Sequence, residues 1–163
     1  MKKLIGIFFI TLCFLLLSNT ALATNWQWVD SNDKHGWFFD TDTIHYEIAQ
    51  GLYPSVDTSR ITFWEKIFYT QAGANEFAKK VNDWRYRDLA YSLDLQTISL
   101  RDKTYTILAA YYYRKDGSLI KSEEECYDIL QIVPETFGEA VFLAVRDYAR
   151  THHAQLIRNA YNN

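Results

Sequence analysis

In Gly36-Trp37-Phe38-Phe39-Asp40-Thr41-Asp42-Thr43-Ile44, three consecutive aromatic residues run into two aspartates spaced i, i+2. Carboxylates at that spacing can hold a hard cation, but a calcium loop also draws on a glycine turn and a distal glutamate. Here Thr43-Ile44-His45-Tyr46 follows, and Glu47 is the one other acid nearby. The alternative is a turn: an aspartate side chain readily bonds the backbone two residues on and re-aims the chain. The stretch therefore predicts an aromatic strand that ends at Asp40, with no metal site.

Glu65 is the second candidate. In Arg60–Thr70 (RITFWEKIFYT), Ile61, Phe63, Glu65, Ile67 and Tyr69 fall on one side of a strand, because side chains alternate. A lone carboxylate on an apolar face must be paired, have a raised pKa, or lie where the strand leaves the core. Structural pairing is the expectation, and no catalytic role is assigned. His152 and His153 are adjacent on a helix and point about 100° apart, so they cannot chelate one ion together. His35 and His45 stand alone in turn regions, and all four histidines are expected to be solvated. There is no His-Glu-x-x-His, Cys-x-x-Cys, Gly-x-Ser-x-Gly or phosphate-cradling glycine loop. No catalytic residue, cofactor or metal ligand is predicted, and the chain is not expected to be an enzyme.

The elements that position these residues are strand-rich. Trp26–Val29 alternates as a strand, Asp30–Asp33 turns, and Gly36–Phe39 returns as its hairpin partner. Residues 50–57 look like a loop, and 60–70 is a long strand rich in β-branched and aromatic residues. Ala72–Asn82 switches to helical spacing, and 84–90 is ambiguous between helix and turn. Tyr91–Arg101 and Thr104–Arg114 are strands, and Lys115-Asp116-Gly117-Ser118 is a hairpin turn into a short strand at 119–123. Thr136 with Glu139 has capping-box spacing and opens a last helix to about His152. Its apolar stripe is Phe137, Val141, Ala144, Val145 and Tyr148. The class is α+β: a single antiparallel sheet of about six strands, a C-terminal helix packed on it, and one shorter helix inserted between strands.

Residues 1–23 read as a signal peptide: Lys2-Lys3, an apolar Leu4–Leu17, then Ala21-Leu22-Ala23. Cys13 lies inside the apolar run rather than at the cleavage point, so a lipoprotein is not expected. Residues 24–163 form one domain, exported to the periplasm, the medium or the cell surface, with no transmembrane segment. Leaving Lys2 and Lys3 out of the 17 basic residues gives 15 against 20 acidic ones, a net charge near −5. With no basic stripe, nucleic acid is not a partner. Cys126 is then the one cysteine left, expected as a small buried hydrophobe, with an intermolecular disulfide as the alternative.

Surplus aromatics give the best functional lead. On strict alternation, Tyr105, Ile107, Ala109, Tyr111 and Tyr113 share one face, and Tyr112 lies on the other. Trp64, Phe68 and Tyr112 then fall on a mixed face with Lys66 and Arg114 nearby. Either that face is an exposed contact surface, or a helix covers it and both faces are buried. Trp64, Phe68 and Tyr112 are the candidate partner-binding residues.

In order, the Trp26-Gln27-Trp28-Val29 strand, Phe38-Phe39-Asp40-x-x-x-Ile44, Ile61-Thr62-Phe63-Trp64-Glu65-Lys66, the tyrosine-rich strand turning at Asp116-Gly117, and Ile132-Val133-Pro134 resemble the surface-adhesin protein E family of small exported bacterial proteins. These are fold landmarks, and none is specific to a reaction. The resemblance implies an antiparallel sheet with a C-terminal helix, attachment to host matrix proteins, and a homodimer as one form. Members of that family tend to carry a cysteine pair and a lipid anchor, and this chain departs on both. The expected function is an exported non-enzymatic binding module, adhesin-like or accessory to the envelope. The alternative is a periplasmic enzyme or enzyme inhibitor whose site the sequence does not locate.

Overall fold

The computed structural model describes residues 24–162; the leader expected at 1–23 lies outside them. Eight strands form one antiparallel sheet: β1 (Trp26–Ser31), β2 (His35–Asp40), β3 (His45–Ala49), β4 (Ser55–Tyr69), β5 (Leu89–Ser99), β6 (Thr104–Arg114), β7 (Leu119–Glu124) and β8 (Ile129–Gln131). The helices are α1 (Gln71–Lys80), α2 (Phe137–Thr151) and α3 (His153–Ala160), with a 3-10 turn at Trp84–Asp88. The class is α+β as expected, but with more strands than six. The extra ones arise because two long strands each serve two short partners. The path is β1-β2-β4-β5-β6-β7. β2 pairs with Glu65–Tyr69 of β4, and β3 with its first half. β7 pairs with Ala109–Tyr113 of β6, and β8 with Thr104–Thr106. The last three residues of the expected loop at 50–57 are the start of β4, whose pairing with β3 extends it back to Ser55.

All three helices sit on one face of the sheet. Phe39, Tyr46, Ile61, Phe63 and Ile98 from the sheet, with Ile44 from the turn before β3, meet Val141, Phe142, Val145 and Ala149 from α2, and Leu156 and Ala160 from α3. Burying each large apolar side chain contributes about 1.5–3 kcal/mol. A second cluster lies toward the other end of the same face. There α1 and the 3-10 turn pack Ala74, Ala78 and Tyr86 with Leu89 against Tyr69, Phe77, Tyr112 and Ile120. Gly73 lets α1 come close: a Cβ there would overlap the carbonyl oxygen of Lys34.

Local chemistry sets the ends of these elements. Thr136 Oγ1 accepts the Glu139 amide at 3.4 Å, and Glu139 reaches back one residue further than a standard capping box, to the Glu135 amide at 2.8 Å. At the end of α2, Thr151 Oγ1 donates to the carbonyls of Asp147 and Tyr148, and the His152 ring stacks on Tyr148 at 3.9 Å. These side-chain bonds compete with the backbone ladder, and the helix breaks at His152 before α3 resumes. The last helix is therefore two helices, and it continues where fraying was expected. Gly117 takes φ +82° in the hairpin turn, and Asp116 Oδ1 accepts the Ser118 amide at 2.9 Å.

Candidate functional site

Among the described residues no helix packs on the other face of the sheet. Register fixes its membership: Trp28 stands opposite Phe38, Phe38 opposite Lys66, Lys66 opposite Leu93, and Leu93 opposite Tyr111. One step along, Phe68, Tyr91 and Tyr113 line up across the three central strands, and Trp26 and Trp64 flank Asp40. The surface is thus a band of aromatic rings running across the strands. Trp28 is 57% exposed and Phe68 44%, and the remaining rings are half-buried against one another.

Ring contacts give the band its order. Tyr91 stacks on Tyr113 at 5.0 Å, Phe38 meets Phe68 edge-on at 5.7 Å, and Trp64 tilts toward Tyr111 at 6.0 Å. Lys66 Nζ lies 4.7 Å from the Phe68 and Tyr91 ring centres and 5.2 Å from Trp26. Each such contact is worth about 0.5–2 kcal/mol, more as water is excluded. Burial among the rings pulls the Lys66 ammonium below the usual lysine range. Beside this cage Trp26, Trp64, Leu93, Tyr111 and Tyr113 line a groove of about 450 Å³, with Asp40 and Thr43 at its edge.

Toward the start of β4 the same face turns polar. The Glu47 carboxylate accepts bonds from Arg60 Nε, Thr97 Oγ1 and Thr62 Oγ1. Burial alone would push Glu47 up, but the bonds from Arg60, Thr97 and Thr62 outweigh it and hold the group below its usual value. The face as a whole offers flat aromatic area, one caged cation and a hydrogen-bonded acid at one end.

No protein-family model matches this sequence, and no curated protein is significantly similar to it.

Of the three residues expected on this face, Trp64 and Phe68 lie on it and Tyr112 does not. A bulge changes the parity of β6: Leu95 pairs with Ala109, but the next residue, Gln96, pairs with Ile107. Leu108 is the extra residue, and beyond it each side chain points to the side opposite to strict alternation. Tyr112 therefore turns under α1, against Phe77 and Tyr86, while Tyr111 and Tyr113 come out beside Trp64. The bulge falls where β6 changes partner from β8 to β7. The Cys126 amide, in the link between those two strands, bonds the Leu108 carbonyl at 3.4 Å.

Cys126 is half-buried in that link rather than part of the core, with no disulfide among the described residues. Asp40 makes the turn: its Oδ1 accepts the Asp42 amide at 3.0 Å and its Oδ2 the Thr43 hydroxyl at 2.7 Å. Of the histidines, His35 is not simply solvated. It sits half-buried between Trp37 and Tyr69, and burial lowers its pKa. His153 Nδ1 lies 3.0 Å from the Tyr46 hydroxyl. Glu65 is buried on the helix side, opposite Asp94, which the sequence did not single out. Alternation puts Asp94 with Ser92 and Gln96 and so suggests a solvent face; only the β4–β5 register reveals the acid pair.

Proposed function

We propose that the chain is an exported, non-enzymatic binding module of adhesin-like character that engages a protein partner through the aromatic face. The observation that carries this is the band from Trp28 to Tyr113, left without a helix although three helices are stacked on the opposite side. A monomer rarely leaves so much flat aromatic surface in water unless something covers it in use. Aromatic rings are among the residue types enriched at the centres of protein contacts. The resemblance to adhesin E-like proteins points to a host matrix protein or an envelope component, and the leader expected at residues 1–23 would export the chain to where either is met.

The test compares residues 24–163 with the double variant Trp64→Ala/Tyr111→Ala, both checked for folding by circular dichroism. Binding is measured by surface plasmon resonance over immobilised extracellular-matrix proteins and over the producer's own envelope fraction. Saturable binding that weakens at least tenfold in the variant supports the assignment. Undiminished binding by the folded variant overturns it.

A further inference from the structure

On the opposite side of the sheet, a cavity of about 210 Å³ lies between α2 and strands β2, β4, β5 and β6. Trp37, Tyr105, Phe137 and Phe142 help to wall it, and Glu65 and Asp94 contribute to its lining. Trp37 and Phe137 are stacked at 3.7 Å and 12°, which fixes one side. With about 30 Å³ per water molecule, the space equals about seven waters, or one small organic molecule.

The two acids are unusual in how little they are given. Glu65 and Asp94 are 8% and 7% exposed and stand opposite each other across the β4–β5 ladder. Glu65 Oε2 accepts one bond, from Gln96 Nε2 at 2.6 Å. Asp94 Oδ2 has a long contact from Ser92 Oγ at 3.5 Å, and Asp94 Oδ1 is buried with no partner. No ion pair among the described residues involves either acid. A buried carboxyl pair without a cation is costly, and an apolar pair of similar bulk would serve packing better. The arrangement lacks positive charge and hydrogen-bond donors at one point in a largely apolar chamber.

We propose that this cavity binds a small organic monocation, a primary alkyl- or arylalkylammonium, with its nitrogen between Glu65 and Asp94 and its apolar body against Trp37 and Phe142. An ammonium supplies both missing things, one positive charge and three N–H donors, one of them for Asp94 Oδ1. The aromatic walls favour the same ligand through its CH₂ groups and by cation–π attraction. A bare divalent ion fits less well. Calcium takes six to eight oxygen ligands, and no group of three or more His, Cys, Asp or Glu converges among the described residues. The site is on the far side of the sheet from the aromatic band, so the two proposals stand or fall separately.

Titration of residues 24–163 at pH 8.5 with benzylammonium chloride, followed by the ¹H–¹⁵N signals of the Trp37 indole and the Gln96 side-chain amide, tests it. Saturable shifts are expected, with affinity at least tenfold above that of benzyl alcohol, the neutral isostere. Asp94→Asn and Glu65→Gln should each weaken amine binding at least tenfold; both are conservative, and two variants guard against one failing to fold. No saturable shift up to 50-fold excess, an equal response to benzyl alcohol, or undiminished binding in both folded variants overturns the assignment. Calcium chloride producing the same shifts at lower concentration would overturn it in favour of a metal site.

Discussion

Glu65 faces Asp94 across the β4–β5 ladder, and no ion pair among the described residues involves either acid. Burial pushes the Glu65 carboxyl up to about 8, with Asp94 adding to the effect and the Gln96 bond opposing it. Burial pushes Asp94 up to about 7, against the Ser92 bond and with Glu123 adding to the rise. Both folded values lie above the unfolded ones, so the folded state holds these protons more tightly. The stabilisation is full below the unfolded values and is lost as pH rises through about 7 to 8. Tyr69, Tyr105 and Tyr112 also face this region, but burial raises all three, so they titrate above that window. Urea melts should therefore show greater stability at pH 5.5 than at pH 8.5, with a slope of up to about 1.4 kcal/mol per pH unit for each group. The Glu65→Gln/Asp94→Asn double variant should flatten that slope. Parallel pH profiles for the two proteins would refute the assignment.

The bulge at Leu108 makes neighbouring tyrosines unequal. Tyr112→Ala removes a ring packed against Phe77 and Tyr86 and should cost about 3 kcal/mol. Tyr111→Ala removes a ring from the uncovered face and should cost about 1 kcal/mol or less. Denaturant melts of the two variants decide the matter, and equal losses would contradict the parity change.

Gly73→Ala should destabilise the protein although alanine is the better helix former. Propensity would return about 1 kcal/mol. The new methyl group would meet backbone, the Lys34 carbonyl oxygen, which also accepts the Thr70 amide at 2.9 Å and so is not free to move. A net loss of about 1–3 kcal/mol is expected from such overpacking. A variant melting above the parent would show that α1 can shift at no cost.

Asp40 is 2% exposed and its carboxylate accepts two bonds within the turn. Asp40→Ala leaves a backbone donor and a hydroxyl without their partner and should cost about 2 kcal/mol. Millimolar calcium should leave the Tm of the parent unchanged. A calcium-dependent rise in Tm that Asp40→Ala abolishes would instead make this a metal loop.

Local signals carried much of the architecture. The Thr136 cap, the Gly117 turn and the β-rich run through Trp64 each depend on a few neighbouring residues, and each forms where the spacing indicates. Glu65 was legible as a problem, because alternation alone places it on the apolar face. Its opposite number was not, since Asp94 becomes its neighbour only once β4 and β5 are in register. The short strands β3 and β8 were hidden for a related reason: each is held by the free half of a long strand rather than by its own composition. Tyr112 was misplaced because one extra residue in β6 leaves no mark in an alternating pattern, yet reverses every side chain after it.

The Asp40–Ile44 turn also fastens both ends of the described chain. The Asn25 amide donates to Asp42 Oδ2, and the Asn25 carbonyl accepts from the Thr41 amide and hydroxyl. From α3, Gln155 Nε2 donates to the Thr41 carbonyl, and Asn159 Nδ2 to those of Asp42 and Ile44. The path of the backbone closes here like a belt at its buckle. A pulling force applied between residues 25 and 159 would load these few bonds first, before any pair of strands in the sheet had to slide.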